Sequence, residues 1–227
     1  MTIPAAEDDA RSLPAARQGG ERSNARGQAT RLLLLITAEE LFATHGISAV
    51  PLRDIAKAAG QRNHAVVQYH FGEREEVVKA LTDYRGAASE KMRADMVAEL
   101  MLGATSPTVE DVVEAFVRPL ALHFRPDNHY LQFLSMLITQ EGGYQGLVGV
   151  HTGGQVMTLR ALLFRLLPET PEAVLIERWW VTLTSAVHTL ARYQTAQRRR
   201  ERLPQSIDHL VDDLIRFLAA GLGTPHR

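Results

Sequence analysis

Apolar residues recur at three- and four-residue spacing along most of the chain, the period of helices that bury one face. Leu34, Leu35, Ala38, Leu41 and Phe42 form the first stripe, and Gly46 is placed to end it. A short helix is expected over 52–59, buried through Ile55, Ala56 and Ala59 and stopped by Gly60. The next opens at Asn63, a good N-cap, and runs to His70 before Gly72 breaks it. A long helix over 73–101 carries Val77, Leu81, Tyr84, Ala88 and Met92 along one stripe.

Beyond a break at 103–107, Val109, Val112, Val113, Phe116, Val117 and Leu120 form another stripe. Pro119 removes one backbone donor there and is expected to kink the helix. Pro126-Asp127-Asn128 starts a helix bearing Tyr130, Phe133, Leu134, Leu137 and Ile138. The segment 142–154 reads as a loose connection rich in glycine, without the Gly-Lys-Ser/Thr of a phosphate-binding loop. Leu159, Leu162, Leu163, Leu166 and Leu167 continue to Pro168. Thr170-Pro171 then supplies an N-cap and a first-turn proline for a helix through Trp179, Leu183, Val187 and Leu190. The cleanest period is the last: Ile207, Leu210, Val211, Leu214, Ile215 and Leu218, with Gly221 as stop. No stretch alternates like a strand, so the expected fold is all-α, with about nine helices by the periodicity.

Composition narrows the chemistry. The 227 residues are 45% hydrophobic, enough for one core or for a small domain beside a larger one. A formal net charge of -1 means that a nucleic-acid partner needs a local basic patch. The chain has no cysteine, which excludes disulfides, thiol catalysis and thiolate zinc sites. The histidines show no metal spacing, and no nucleophile motif or paired-acid site is recognisable. No metal, cofactor or catalytic residue is therefore expected. The apolar run 32–36 is too short to cross a bilayer and is followed by acids, so a cytoplasmic protein with no membrane partner is expected. Residues 1–25, with Pro4, Pro14, Gly19 and Gly20, read as a disordered arm. Its first half is acidic (Glu7, Asp8, Asp9); its second half is basic (Arg11, Arg17, Arg22) and leads to Arg26 and Arg31. Such an arm reads either as a solvated tail or as a reach for DNA phosphates or a minor groove.

Residues 26–75 hold three short helices, the second and third joined by a tight turn after Ala59-Gly60, as in a helix-turn-helix. Ile55-Ala56-Lys57-Ala58-Ala59-Gly60, followed by Tyr69-His70-Phe71-Gly72-Glu73-Arg74-Glu75, resembles the signature of the tetracycline-repressor (TetR) family, and Leu41-Phe42 and Gly46 stand where that family has them. Two features depart from it. Val50-Pro51 replaces a common Ser or Thr pair, and the turn Gln61-Arg62-Asn63 is one residue longer than usual.

The resemblance implies a DNA-binding regulator with an effector-binding and dimerising domain over 76–227. Arg53 and Lys57 share an outer face of the second helix, and an Arg fork suits guanine O6 and N7. Asn63, His64, Ala65 and Gln68 lie on the outer side of the third, where Gln68 suits adenine and Ala65 a thymine methyl. Tyr69, His70 and Arg74 carry over as phosphate contacts. Partners implied are double-stranded operator DNA, a small-molecule effector and a second copy of the chain. An apolar or aromatic effector would meet Phe116, His123, Phe124, Tyr130, Phe133, Met136 and Trp180. The dimer would form through Trp179, Leu183, Val187, Leu210, Leu214 and Leu218 of the last two helices. An all-helical enzyme and a protein-binding adaptor are the alternatives. Arg53, Gln68, Tyr69 and Arg74 on one exposed positive face would argue against the enzyme, and the adaptor would show an exposed apolar groove instead.

Overall fold

The computed structural model describes residues 16–125, 127–140 and 154–226. Among them the chain forms nine helices and no strand. The N-terminal unit comprises α1 (Ala16–His45), α2 (Leu52–Ala58), α3 (Val66–Phe71) and the start of α4 (Arg74–Leu102). The larger unit adds α5 (Val109–Ala121), α6 (Tyr130–Gln140), α7 (Gly154–Leu166), α8 (Glu172–Arg198) and α9 (Ile207–Leu222).

Local chemistry sets the boundaries. Gly46, at φ +91°, stops α1, and its N–H closes on Phe42 O at 3.0 Å. Gly60, at φ +67°, ends α2 in a Schellman motif, with Gln61 N–H on Ala56 O and Gly60 N–H on Lys57 O. Thr108 and Asp111 form a capping box for α5. The backbone N–H of Tyr130 donates to Asn128 Oδ1 at the start of α6 (2.9 Å). Ser206 caps α9, and Arg178 of α8 donates to Leu222 O at its end and to Thr224 O just beyond it.

The core is continuous between the units. Leu34, Leu35, Phe42, Ile55, Val67 and Leu81 are fully enclosed in the first. α6 packs against both α1 and α8, while α5 touches α4, α7, α8 and α9. The α1–α6 contact has a polar clasp at each end. Glu39 of α1, buried, accepts the His129 N–H through Oε1 and Arg85 Nε through Oε2, both at 2.5 Å. Gln140 of α6 accepts the Ile47 N–H at 2.8 Å.

Several expectations are corrected. α1 begins at Ala16, so residues 16–25 of the expected arm are helical; 1–15 lie outside the described residues, as does most of the glycine-rich segment. α3 takes its regular form at Val66, with Asn63 capping the turn before it through Ala65 N–H (3.0 Å). In α4 Tyr84 and Ala88 are exposed and Met92 half-buried; beyond Leu81 the buried face is Thr82, Gly86, Ser89, Arg93 and Val97. Trp179, Leu183, Val187, Leu214 and Leu218 are buried inside the chain's own core, which takes them away from any partner, and Leu210 is half-buried against that core. The large apolar residues that do face outward on α8 and α9 are Val181 (52% exposed) and Phe217 (73%).

Candidate nucleic-acid interface

α3 is held by one deep anchor. Val67 is fully buried, with Val66 and Phe71 half-buried beside it, and full burial of such a side chain is worth roughly 1.5–3 kcal/mol. With that side fixed, the opposite side must face solvent. Asn63, His64, Ala65, Gln68 and Tyr69 are all exposed, Tyr69 at 83%. α2 presents Arg53 and Lys57 outward while Ile55 and Ala56 face the core. Arg53 has only a loose contact to Asp54 (3.8 Å) and is free to reorient. Gln68 Nε2 lies 3.5 Å from Glu73 Oε1, a weak hold on an exposed amide. His70 is half-buried with its ring edge-on to Tyr69.

Arg74 does not join this surface. It is half-buried, and its Nη2 donates to Val50 O at 3.1 Å, tying the start of α4 to the loop before α2. Its Nε is buried without a partner. Two further exposed cations lie nearby: Arg62 in the turn, and Arg31 at the end of the basic stretch, whose guanidinium stacks 4.6 Å from the Phe71 ring. Arg62 carried a signal in the lengthened turn; the Arg31 contact joins residues forty apart and had none.

Comparison with known families decides what this arrangement belongs to. The sequence model for bacterial regulatory proteins of the tetR family matches residues 34–81, and that for the tetracyclin repressor-like C-terminal domain matches 114–221. The chain belongs to the TetR family. Its members are DNA-binding transcription regulators, and the all-α fold agrees with that assignment. No curated protein matches the chain. Mycobacterium smegmatis AmtR shares the fold at 17% identity and a TM-score of 0.51, over 86% of each chain. A Mesorhizobium loti MAFF303099 structure assigned as a TetR-family transcriptional regulator aligns at 12% identity and a TM-score of 0.46, over 87% of this chain and 95% of its own. Among the described residues, no helix is long and apolar enough to cross a membrane.

The C-terminal part of this TetR-family chain places the expected effector residues mostly in its core. Phe116, His123, Tyr130 and Phe133 are buried; Phe124, Met136 and Trp180 are half-buried. His123 sits in a polar chain whose direction can be assigned. Tyr130 N–H fixes the Asn128 amide, whose Nδ2 donates to His123 Nδ1 at 3.2 Å. His123 therefore carries its proton on Nε2 and donates to Ser89 Oγ (2.8 Å), and Ser89 passes its own proton to Pro119 O (3.1 Å). Burial, then Arg85, Arg125 and Arg93, lower the His123 pKa to about 4. With Nε2 already protonated, His123 cannot take a proton from Ser89, so the pair does not form an activated nucleophile.

Proposed function

We propose that the protein is a homodimeric, operator-specific repressor that a small molecule releases from DNA. The observation that carries the DNA-reading part is the shared outward face of α2 and α3, with Arg53, Lys57, Gln68 and Tyr69 exposed beside the buried anchors Ile55 and Val67. Arg53 and Gln68 read base edges; Lys57, Tyr69 and His70 hold phosphates, with Arg62 and Arg31 added to that set. Asn63, His64 and Ala65 open the recognition helix toward the groove. Arg74 holds the start of α4 to the loop before α2 by its bond to Val50 and makes no phosphate contact.

Dimerisation uses the outer faces of α8 and α9, through Val181 and Phe217, in place of the buried residues first expected. An exposed Phe surrounded by a folded core suits a two-fold contact. Selection of bound duplexes from a random pool tests the reading. The expected product is a palindrome whose half-sites lie about 34–36 Å apart, or a multiple of that. Gln68→Ala and Arg53→Ala should each relax preference at particular base pairs, at a cost of about 1–3 kcal/mol. A pool that yields no consensus, or variants that weaken all sequences alike, would overturn base reading by these residues.

A further inference from the structure

Past Leu81 the inward face of α4 becomes polar, and most of its groups are satisfied. Thr82 bonds to the carbonyls of Val78 and Lys79, and Ser89 to Pro119 and His123. Two groups are not. Arg93, 1% exposed, uses Nη1 on Glu90 and reaches Phe116 O only at 3.5 Å, and its Nε has no partner. Tyr130 Oη, on a fully enclosed residue, also has none, and lies beside Gly86 where a side chain would approach it to 3.5 Å. Buried donors without acceptors are rare in native proteins and call for a physical reason. The surroundings are aromatic. Phe116 lies 5.5 Å under Arg93 with Trp179 at its edge, and the Tyr130 ring stands 4.6 Å from His123 and 6.1 Å from Phe133.

We infer that the effector is a small aromatic molecule carrying an oxyanion, whose charged end is read by Arg93 and Tyr130. This rests on the reading of the chain as an effector-responsive regulator. Arg93 is the fully buried cation of α4, since Arg85 is already held by Glu39, and a guanidinium presents a fork that fits a carboxylate with two bonds. Its present acid partner, Glu90, has a side chain 34% exposed, so it can turn to solvent and leave the fork to a ligand. A carboxylate would then supply acceptors for Nε and for the Tyr130 hydroxyl. A cationic ligand would meet Arg93 unfavourably, and a purely apolar one would leave both donors orphaned. His123, neutral and already hydrogen-bonded on both ring nitrogens, contributes a ring face and no charge. The site is also linked to the DNA-binding unit, because Phe133, stacked on Tyr130, stacks in turn on Phe42 of α1 at 6.2 Å.

The test uses benzoate and phenylacetate as probes, with benzamide as the neutral counterpart, on the full chain. Thermal unfolding and tryptophan fluorescence report binding, the latter through Trp179 beside Phe116. The carboxylates should raise the Tm and benzamide should not. Arg93→Met should weaken carboxylate binding about tenfold or more, the loss of a charge-assisted hydrogen bond. Tyr130→Phe, which removes only an unpartnered hydroxyl, should fold as well as the wild type yet bind the carboxylates more weakly; it decides the matter should Arg93→Met fold poorly. The inference is overturned if neither carboxylate acts, if benzamide acts equally, or if Tyr130→Phe binds them unchanged. A gel shift on the selected operator separates the two readings. Release by benzamide and not by carboxylates sinks the oxyanion alone, whereas Arg93-dependent carboxylate binding with no effect on DNA sinks the effector-release reading alone.

Discussion

Lowering the pH should destabilise this fold through His123, and the effect can be isolated. The ring is buried, held neutral by desolvation and by Arg85, Arg125 and Arg93, with its pKa lowered from 6.5 to about 4. In the unfolded chain it takes a proton below pH 6.5; in the fold it does not until about 4. The stability it contributes is thus complete above 6.5, declines as pH falls toward 4, and changes no further below that. Between about pH 7 and pH 5 this amounts to roughly 1.8 kcal/mol, from about 1.36 kcal/mol per pKa unit. Protonation would also put a hydrogen on Nδ1, against the Asn128 amide that now donates to it. His129 and His188 are shifted down as well, chiefly by burial, but they titrate alike in the wild type and in a His123 variant. Urea unfolding of wild type and His123→Gln at both pH values therefore cancels every other group. The wild type should lose about 1–2 kcal/mol more than the variant over that interval. Equal losses would refute the argument that His123 is kept neutral in the fold.

Three further outcomes follow from the corrected geometry. Lys57→Ala should reduce the log–log salt slope of operator binding by about 0.9, whereas Arg74→Ala should weaken binding and lower the Tm with the slope unchanged; gel shifts at several salt concentrations distinguish them. Phe217→Glu should give a folded monomer by analytical ultracentrifugation and circular dichroism, while Leu214→Glu, which places an acid in the core, should unfold the chain; a Phe217→Glu protein that remains dimeric would place the interface elsewhere. Gly46→Ala should destabilise by at least about 1 kcal/mol, because the residue sits at φ +91° and a Cβ there would overlap the Gln140 amide that binds Ile47; a Tm equal to wild type would show that the α1–α6 clasp is not needed for stability.

The helical period, the glycine and proline punctuation and the residues of the helix-turn-helix were legible in the chain itself, since each is a local property. Ile55, Val67 and Gly60 determine by spacing which sides of α2 and α3 face out, so Arg53, Lys57 and Gln68 could be placed before any fold was known, whereas Tyr69 came from the family resemblance. Arg74 could not, because its partner, Val50 O, lies twenty-four residues away and a carbonyl leaves no mark in a sequence. The same holds on a larger scale for α4, α8 and α9. An amphipathic stripe says that a face is buried, but not against what. Trp179, Leu183 and Leu214 read equally as a dimer seam or as a monomer core, and only the packing of α5, α6 and α9 around α8 assigned them to the core, leaving Val181 and Phe217 outside. On α4 the apolar stripe through Tyr84 and Ala88 lost to a face of Gly86, Ser89 and Arg93, because the neighbouring helices supply carbonyls, aromatic rings and Glu90 supplies a carboxylate that make polar burial tolerable. Local periodicity determined the elements and the outward face of α2 and α3; the assignment of buried polar groups and of the outward apolar ones was a decision of the tertiary structure, because both depend on partners distant in the chain.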